Sequence, residues 1–239
     1  MNRVGPARLG YADQLLVREL TDAEGREFAA ITGILDSAEW QVRGGPCRLV
    51  NEDHSGVDLT REFCEAAEAL NLATGLADRV RIIRGSALAL PVPDGAFDAA
   101  YSQNVIMNIA DKALFYREAF RGLRPGGRLA LSNLCAGAGE PHYPVPWATT
   151  SETSFLATPE EMRADLVAAG FEIADFRDTT AAIQEAQQRN RERLQQGTLP
   201  RVAADIILGE RAREMQINSL RNTEEGRCAM VEALVRKPG

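Results

Sequence analysis

Histidine is almost missing from this chain: only His54 and His142 occur in 239 residues. Any imidazole chemistry therefore falls on one of two positions. Cysteine is sparse as well. Cys47, Cys64, Cys135 and Cys228 are scattered without the paired spacing of a zinc site. Positive charge is in deficit, with 27 Lys and Arg against 34 Asp and Glu and a net charge of -7. That balance argues against broad binding to a nucleic-acid backbone, which needs clustered basic residues. No apolar run approaches a membrane span, and no basic start followed by an apolar stretch signals export. The chain reads as reduced, cytoplasmic and metal-free, without repeats or low-complexity tracts.

What is present suits one well-buried α/β domain with elaborations. Hydrophobic content of 45% and charge of 26% are ordinary for a globular protein. Residues 1–27 are expected to form a leading arm with one helix, and residues 28–180 the core. From Gly56 onward strand and helix signals alternate, as in a parallel sheet with crossover helices. "REFCEAAEALNLATG" sets Phe63, Ala66, Ala67, Leu70 and Ala73 at helical spacing and stops at Gly75. "RVRII" and "FDAAYSQ" read as strands. "DKALFYREAFRGL" repeats the helical period through Tyr116, Ala119, Phe120 and Leu123, and "RPGG" turns into the strand "RLALSN". Thr158-Pro159-Glu160-Glu161 has the form of a capping box. The helix it opens points Met162, Leu166 and Ala169 inward, and "FEIADFRD" follows as a strand. Residues 181–222 read as polar helices capping the sheet, and 223–239 supply a last strand.

The segments "GVDLT", "GLADRVRIIRGSALALPVPDGAFDAAYSQNVIMNIADK", "LRPGGRLALSN", "PHYPVPW" and "SFLATPEEMRADLVAAGF" together resemble the class I S-adenosylmethionine-dependent methyltransferases. The branch they resemble is the small-molecule group of sarcosine/dimethylglycine and natural-product methyltransferases. That resemblance implies a Rossmann-like, seven-stranded, mostly parallel sheet with helices on both faces and an antiparallel final strand. Ligands of such sheets sit outside the carboxyl ends of the strands, at the topological switch.

In that family the first strand ends in an acidic residue and a glycine-rich loop, where a Cβ would collide with the cofactor. Asp36 and Asp58 lie 22 positions apart (58 minus 36), near the usual separation of the two strand ends. The loop content differs: Ser37, Ala38, Glu39, Trp40, Gln41 and Val42 precede Gly44-Gly45-Pro46. Trp40 and Glu39 are expected to narrow the pocket and repel the cofactor's carboxylate, a degenerate form of the loop. The alternative is that Gly44 and Gly45 do its work after a small shift. "FAAITGIL" reads either as the first strand or as a helix.

The resemblance places cofactor contacts at Asp58, Leu59, Gly85, Ser86, Ala87 and Gln103. Asp58 would accept from the ribose hydroxyls, or simply favour a helix start. Ser86 stands where the family has an adenine-binding Asp, and either weakens that contact or makes a turn. Tyr101, Gln103 and Asn104 fall where the family meets the acceptor. Relatives commonly carry His at the position of Asn104, and an amide takes no proton near neutral pH. Met107, Tyr143 and Trp147 are candidate substrate contacts, with core or surface-loop roles as the plain alternatives. His142 is the first choice for a base. Arg189, Arg191, Arg193 and Arg201 read as a solvated helix face, one of which is able to anchor a carboxylate.

Three functions stay open. The first is methyl transfer from S-adenosylmethionine to N, O or C of a small metabolite. The second is a repurposed enzyme of the same fold catalysing a cyclisation, rearrangement or elimination. The third is a non-catalytic partner of an active homologue. A small-molecule ligand, no nucleic acid, no membrane and a possible homodimer complete the expectations.

Overall fold

The computed structural model describes residues 17–21, 27–31, 54–185 and 209–239. Its strands are β1 (Val17–Thr21), β2 (Glu27–Ile31), β3 (His54–Asp58), β4 (Val80–Arg84), β5 (Phe97–Gln103), β6 (Leu123–Ala136), β7 (Glu172–Asp178) and β8 (Cys228–Arg236). Its helices are α1 (Arg61–Thr74), α2 (Lys112–Gly122), α3 (Pro159–Ala168) and α4 (Ala212–Glu224), with a further helical segment at 180–185.

The near-continuous apolar run of β6 is buried from residue 129 to 135, as a strand covered on both faces must be. It lies parallel to β5 and antiparallel to β8, and β7 closes the sheet in the order β5-β6-β8-β7. One face sends Leu129, Leu131, Cys135, Val231, Ala233 and Val235 into a core with Phe115 and Tyr116 of α2 and Met162 and Leu166 of α3. Burying each large side chain fully stabilises the fold by about 1.5–3 kcal/mol. Local signals set the helix ends. Asp111 Oδ1 accepts from Leu114 N at 2.9 Å to open α2. The box at α3 is complete, with Glu161 N donating to Thr158 Oγ1 at 3.1 Å and Thr158 N to Glu161 Oε2 at 2.8 Å.

One expectation changes in detail. "RPGG" lies inside β6 as a bulge, where the register jumps from Phe97↔Leu123 to Ala99↔Arg128. Gly126 takes φ 77° there, and its N–H bonds Lys237 O at 3.0 Å. In the arm at 1–27 the described residues are strand, β1 pairing antiparallel with β2, and the expected helix lies outside them. Each strand of that pair satisfies the other's backbone groups.

The platform is a Rossmann-like α/β arrangement, but its described strands do not form one seven-stranded sheet. β3 and β4 pair in parallel as a separate unit joined by α1. The helix α1 forms as its spacing predicts and ends at Gly75, with Cys64 buried while Phe63 is 59% and Leu70 41% exposed. Helical periodicity shows that a face is apolar, not that something covers it. Among the described residues α1 packs mainly on β3 and β4.

Candidate active site at the carboxyl ends of the strands

β3 delivers Asp58 to its carboxyl end as an exposed residue. Its Oδ1 accepts from Thr60 N at 2.7 Å, fixing the carboxylate at the entry to α1. The second oxygen makes no hydrogen bond among the described residues and remains available to a ligand. Leu59 beside it is 69% exposed. Gly85 continues from β4, its N–H donating to Asp58 O at 2.9 Å. A Cβ on Gly85 would meet Pro91 Cγ at 2.7 Å, so packing already requires this glycine. Ser86 Oγ accepts from Leu88 N at 3.1 Å, which is the turn-making role; Ala87 packs against the core. Gly44, Gly45, Glu39, Trp40 and the arginines at 189, 191, 193 and 201 lie outside the described residues.

The loop that follows Gly85 is held by α2. Arg121 donates to Leu90 O at 2.9 Å, Val92 O at 2.8 Å and Asp94 Oδ1 at 2.7 Å. Glu118 completes the clasp, accepting from Leu90 N at 2.8 Å. Hydrogen bonds to Glu118 and Asp94 push the Arg121 guanidinium further up. The sequence hinted at this clasp only through the i,i+3 spacing of Glu118 and Arg121.

At the end of β5 the polar residues are incompletely satisfied. The Tyr101 hydroxyl donates to Gln103 Oε1. Ser102 Oγ, Gln103 Nε2 and Asn104 Oδ1 are buried atoms without a hydrogen-bond partner. Buried polar atoms in native proteins are nearly always paired, so three in succession make the end of β5 a candidate place for a ligand. Asn104 takes φ 51°, a left-handed conformation that Asn tolerates better than most residues, and its N–H bonds Ser132 O at 2.9 Å. Met107 is buried, and its carbonyl accepts from Phe155 N at 2.8 Å.

Lys112, which the sequence did not single out, stitches this turn to the loop before α3. Its Nζ donates to Ile109 O at 2.7 Å, to Ile106 O at 3.4 Å and to Phe155 O. Burial lowers its pKa from the ordinary lysine value.

The segment after β6 carries His142, Tyr143 and Trp147. It closes on the β5 end through Asn108 Nδ2, which donates to Trp147 O at 2.7 Å. The Trp147 indole donates to Ser154 Oγ at 3.1 Å and packs on Leu134, Cys228 and Met230. Tyr143 is half-buried. α4 braces this segment. Fully buried Asn222 accepts from His142 N at 2.7 Å and donates to His142 O at 3.0 Å, while Asn218 donates to Pro144 O at 3.0 Å. His142 Nε2 lies 2.9 Å from Glu225 Oε2. Glu225 also receives Arg221 Nε and Arg227 Nε, each at 2.5 Å, and its pKa falls to about 2, chiefly through Arg227 and then His142 and Arg221.

The thiols are poor nucleophiles. Burial pushes Cys135 up to about 12 and Cys228 up to about 11.

Asp58, the unpaired end of β5 and the braced His142 segment thus lie at the same ends of their strands. That is where Rossmann-like sheets hold ligands. The arrangement offers one carboxylate, amide donors and acceptors, and one imidazole. The residues fit an adenosyl sulfonium donor: a half-used carboxylate for a ribose, and orphaned amides at the reacting end.

Comparison with known proteins agrees. A family profile described as a methyltransferase domain matches residues 43–131. O-methyltransferase resE of Aspergillus sclerotiorum is 30% identical over 129 residues, 52% of this chain and 48% of that protein. The match therefore spans about half the length of this curated relative. Among solved structures, the [4+2]-cyclase SpnF superposes with a TM-score of 0.60 at 23% identity, over 78% of this chain and 66% of its own. Geranyl diphosphate C-methyltransferase from Streptomyces coelicolor A3(2), in complex with Mg2+, geranyl diphosphate and S-adenosyl-L-homocysteine, gives 0.61 at 16% identity, over 78% and 63%. At these identities the likeness to the two structures is one of fold.

Proposed function

We propose that the chain, whose residues 43–131 match a methyltransferase domain profile, is a class I S-adenosylmethionine-dependent methyltransferase that moves a methyl group from S-adenosylmethionine to N, O or C of a small, natural-product-like metabolite. The observation that carries this reading is the run of unpartnered buried atoms on Ser102, Gln103 and Asn104 at the end of β5. When bound, the donor supplies an electrophilic methyl group. Asp58 and Leu59 hold its ribose, the Gly85–Ala87 turn borders its base, and Gln103 Nε2 donates to its polar end. Asn104 Oδ1 accepts a hydrogen bond from the incoming nucleophile and so aligns it, without removing its proton. The segment 141–148, with Tyr143, walls the acceptor side and excludes water.

In this reading the platform is one seven-stranded sheet. In it β2, which lies against β5, stands between the pair β4-β3 and the sheet β5-β6-β8-β7. Calorimetric titration with S-adenosylmethionine tests the proposal: binding at micromolar to millimolar concentration is expected, and no heat at millimolar donor ends it.

A second reading is favoured by the sequence of 37–45, where Glu39 and Trp40 replace the expected glycines. A misplaced bulky group costs about 1–3 kcal/mol, enough to weaken donor binding by one to two orders of magnitude. The enzyme would then rearrange or cyclise its substrate without using the donor. A product of unchanged mass from a metabolite extract would support it. Recovery of donor binding in the Glu39→Gly, Trp40→Gly double variant would show that those side chains block an otherwise intact site.

A further inference from the structure

The turn at 105–109 follows the unpartnered amide of Asn104 and buries Ile106 and Met107, yet leaves Val105 exposed. It closes on itself, Val105 O accepting from Asn108 N and Ile106 O from Ile109 N, each at 3.0 Å. Phe155, also exposed, is bonded to the same turn from both sides of its backbone. Its N–H donates to Met107 O at 2.8 Å, and its C=O accepts from Lys112 Nζ. Lys112 reaches Ile109 O and Ile106 O as well, and Asn108 fastens the turn to Trp147 O. The other large apolar side chains left exposed among the described residues lie on or beside α1, α3 and α4. Apolar side chains scattered singly over a surface need no explanation; two on one braced turn, beside unpaired polar atoms, do. A turn held at this many points loses little freedom when a ligand settles on it.

The positive charge at this turn is already engaged. An ammonium has three N–H groups, and Lys112 gives one to each of three carbonyls. Arg221 and Arg227, which brace the segment after β6, are tied to Glu225. What the end of β5 offers a ligand is neutral: the Nε2 of Gln103 and the Oδ1 of Asn104. We infer that Val105 and Phe155 form an apolar platform that selects an uncharged acceptor with an aromatic or aliphatic body, its polar group meeting Asn104. The inference rests on the methyl-transfer reading and narrows its acceptor class, setting phosphorylated molecules aside. A phosphate placed here exchanges water for apolar side chains and the lone pairs of Asn104 Oδ1. Lys112, with every N–H engaged, has none left to offset that loss.

Fluorescence titration of the full chain with 1-naphthol and with 1-naphthyl phosphate, near neutral pH, compares one apolar body with and without the charge. 1-Naphthol should bind with a dissociation constant below about 1 mM, and its phosphate at least about 10-fold more weakly. Val105→Ser and Phe155→Ser, both at exposed positions, should each weaken 1-naphthol about 10-fold and leave affinity for S-adenosylmethionine unchanged. Equal or tighter binding of the phosphate overturns the selection of uncharged acceptors. Absence of 1-naphthol binding, or binding indifferent to both substitutions, overturns the platform. A dimer in sedimentation that the substitutions dissociate, with 1-naphthol affinity unchanged, also overturns it and assigns the two side chains to a contact between copies. Failure of the wild type to bind S-adenosylmethionine overturns the methyl-transfer reading instead, and the two titrations still decide what the platform takes.

Discussion

The sheet β5-β6-β8-β7 and the pair β3-β4, which the proposed function makes the acceptor and ribose ends of one site, are built differently. The first is packed by α2 and α3 into a dry core that contains Leu131, Leu166 and Val231 at 0% exposure. The second carries α1, whose Phe63, Leu70 and Leu72 face outward at 59%, 41% and 75% exposure. The acceptor end therefore rests on a scaffold complete within the described residues. The ribose end rests on a strand pair that does not cover its own helix. Stability and donor binding should accordingly separate by mutation: one half answers to unfolding, the other to titration.

The widest gap is expected between Leu131→Ala and Leu72→Ala. Truncating buried Leu131 costs about 2–5 kcal/mol, through lost burial and a cavity that relaxes incompletely. Leu72, three-quarters exposed, should change stability by less than about 0.5 kcal/mol. Urea unfolding curves measure both, and equal losses would erase the distinction between the halves. Next comes Asn222→Leu. It removes both partners of the His142 backbone, and a stranded buried group costs about 1–3 kcal/mol. The same curves should register this loss, and amide exchange at 142–144 should accelerate well beyond that of β6. An unchanged exchange rate would mean that the segment stands without α4.

For the ribose end the readout moves from unfolding to binding. Asp58→Ala removes an exposed carboxylate and should leave the urea midpoint nearly unchanged. Charge-assisted hydrogen bonds contribute about 1.5–3 kcal/mol, so affinity for S-adenosylmethionine should fall roughly 10- to 100-fold. Loss of stability without loss of affinity would assign Asp58 to the start of α1 alone.

Local features were the ones legible in the sequence. "FDAAYSQ" is β5 residue for residue, and the Thr158–Glu161 box forms as its four letters dictate. Both depend on neighbours within a few positions. Asp58 and Gln103, which the resemblance singled out, are the last residues of β3 and β5, and Asn104 follows the second. What holds the acceptor segment was not legible. Asn222 meets His142 across 80 positions, from a stretch that reads only as a polar helix, and Glu225 meets it across 83, from the stretch read as the last strand. Lys112 looked like one more charge at a helix start, whereas its three carbonyl partners come from two separate loops. The face of α1 shows the same limit: its period is local and legible, but its covering is a tertiary fact.

The smallest effect is the pH response of the acceptor end, and its sign follows from Glu225. Arg227, His142 and Arg221 hold this carboxylate at about 2, below its ordinary 4.5. A depressed folded value means that folding is favoured by the ionised form. The contribution is therefore whole above about pH 4.5 and disappears as the pH falls from there through about 2. Comparing melting temperatures of wild type and Glu225→Gln isolates it from the other acids: the two curves should be separated near neutrality and converge in that acid window. Because Glu225 is solvent-accessible, added salt should shrink the separation. Curves that stay parallel to the lowest pH would mean that the carboxylate is not held by its arginines, and the ring of His142 would lose its fixed partner.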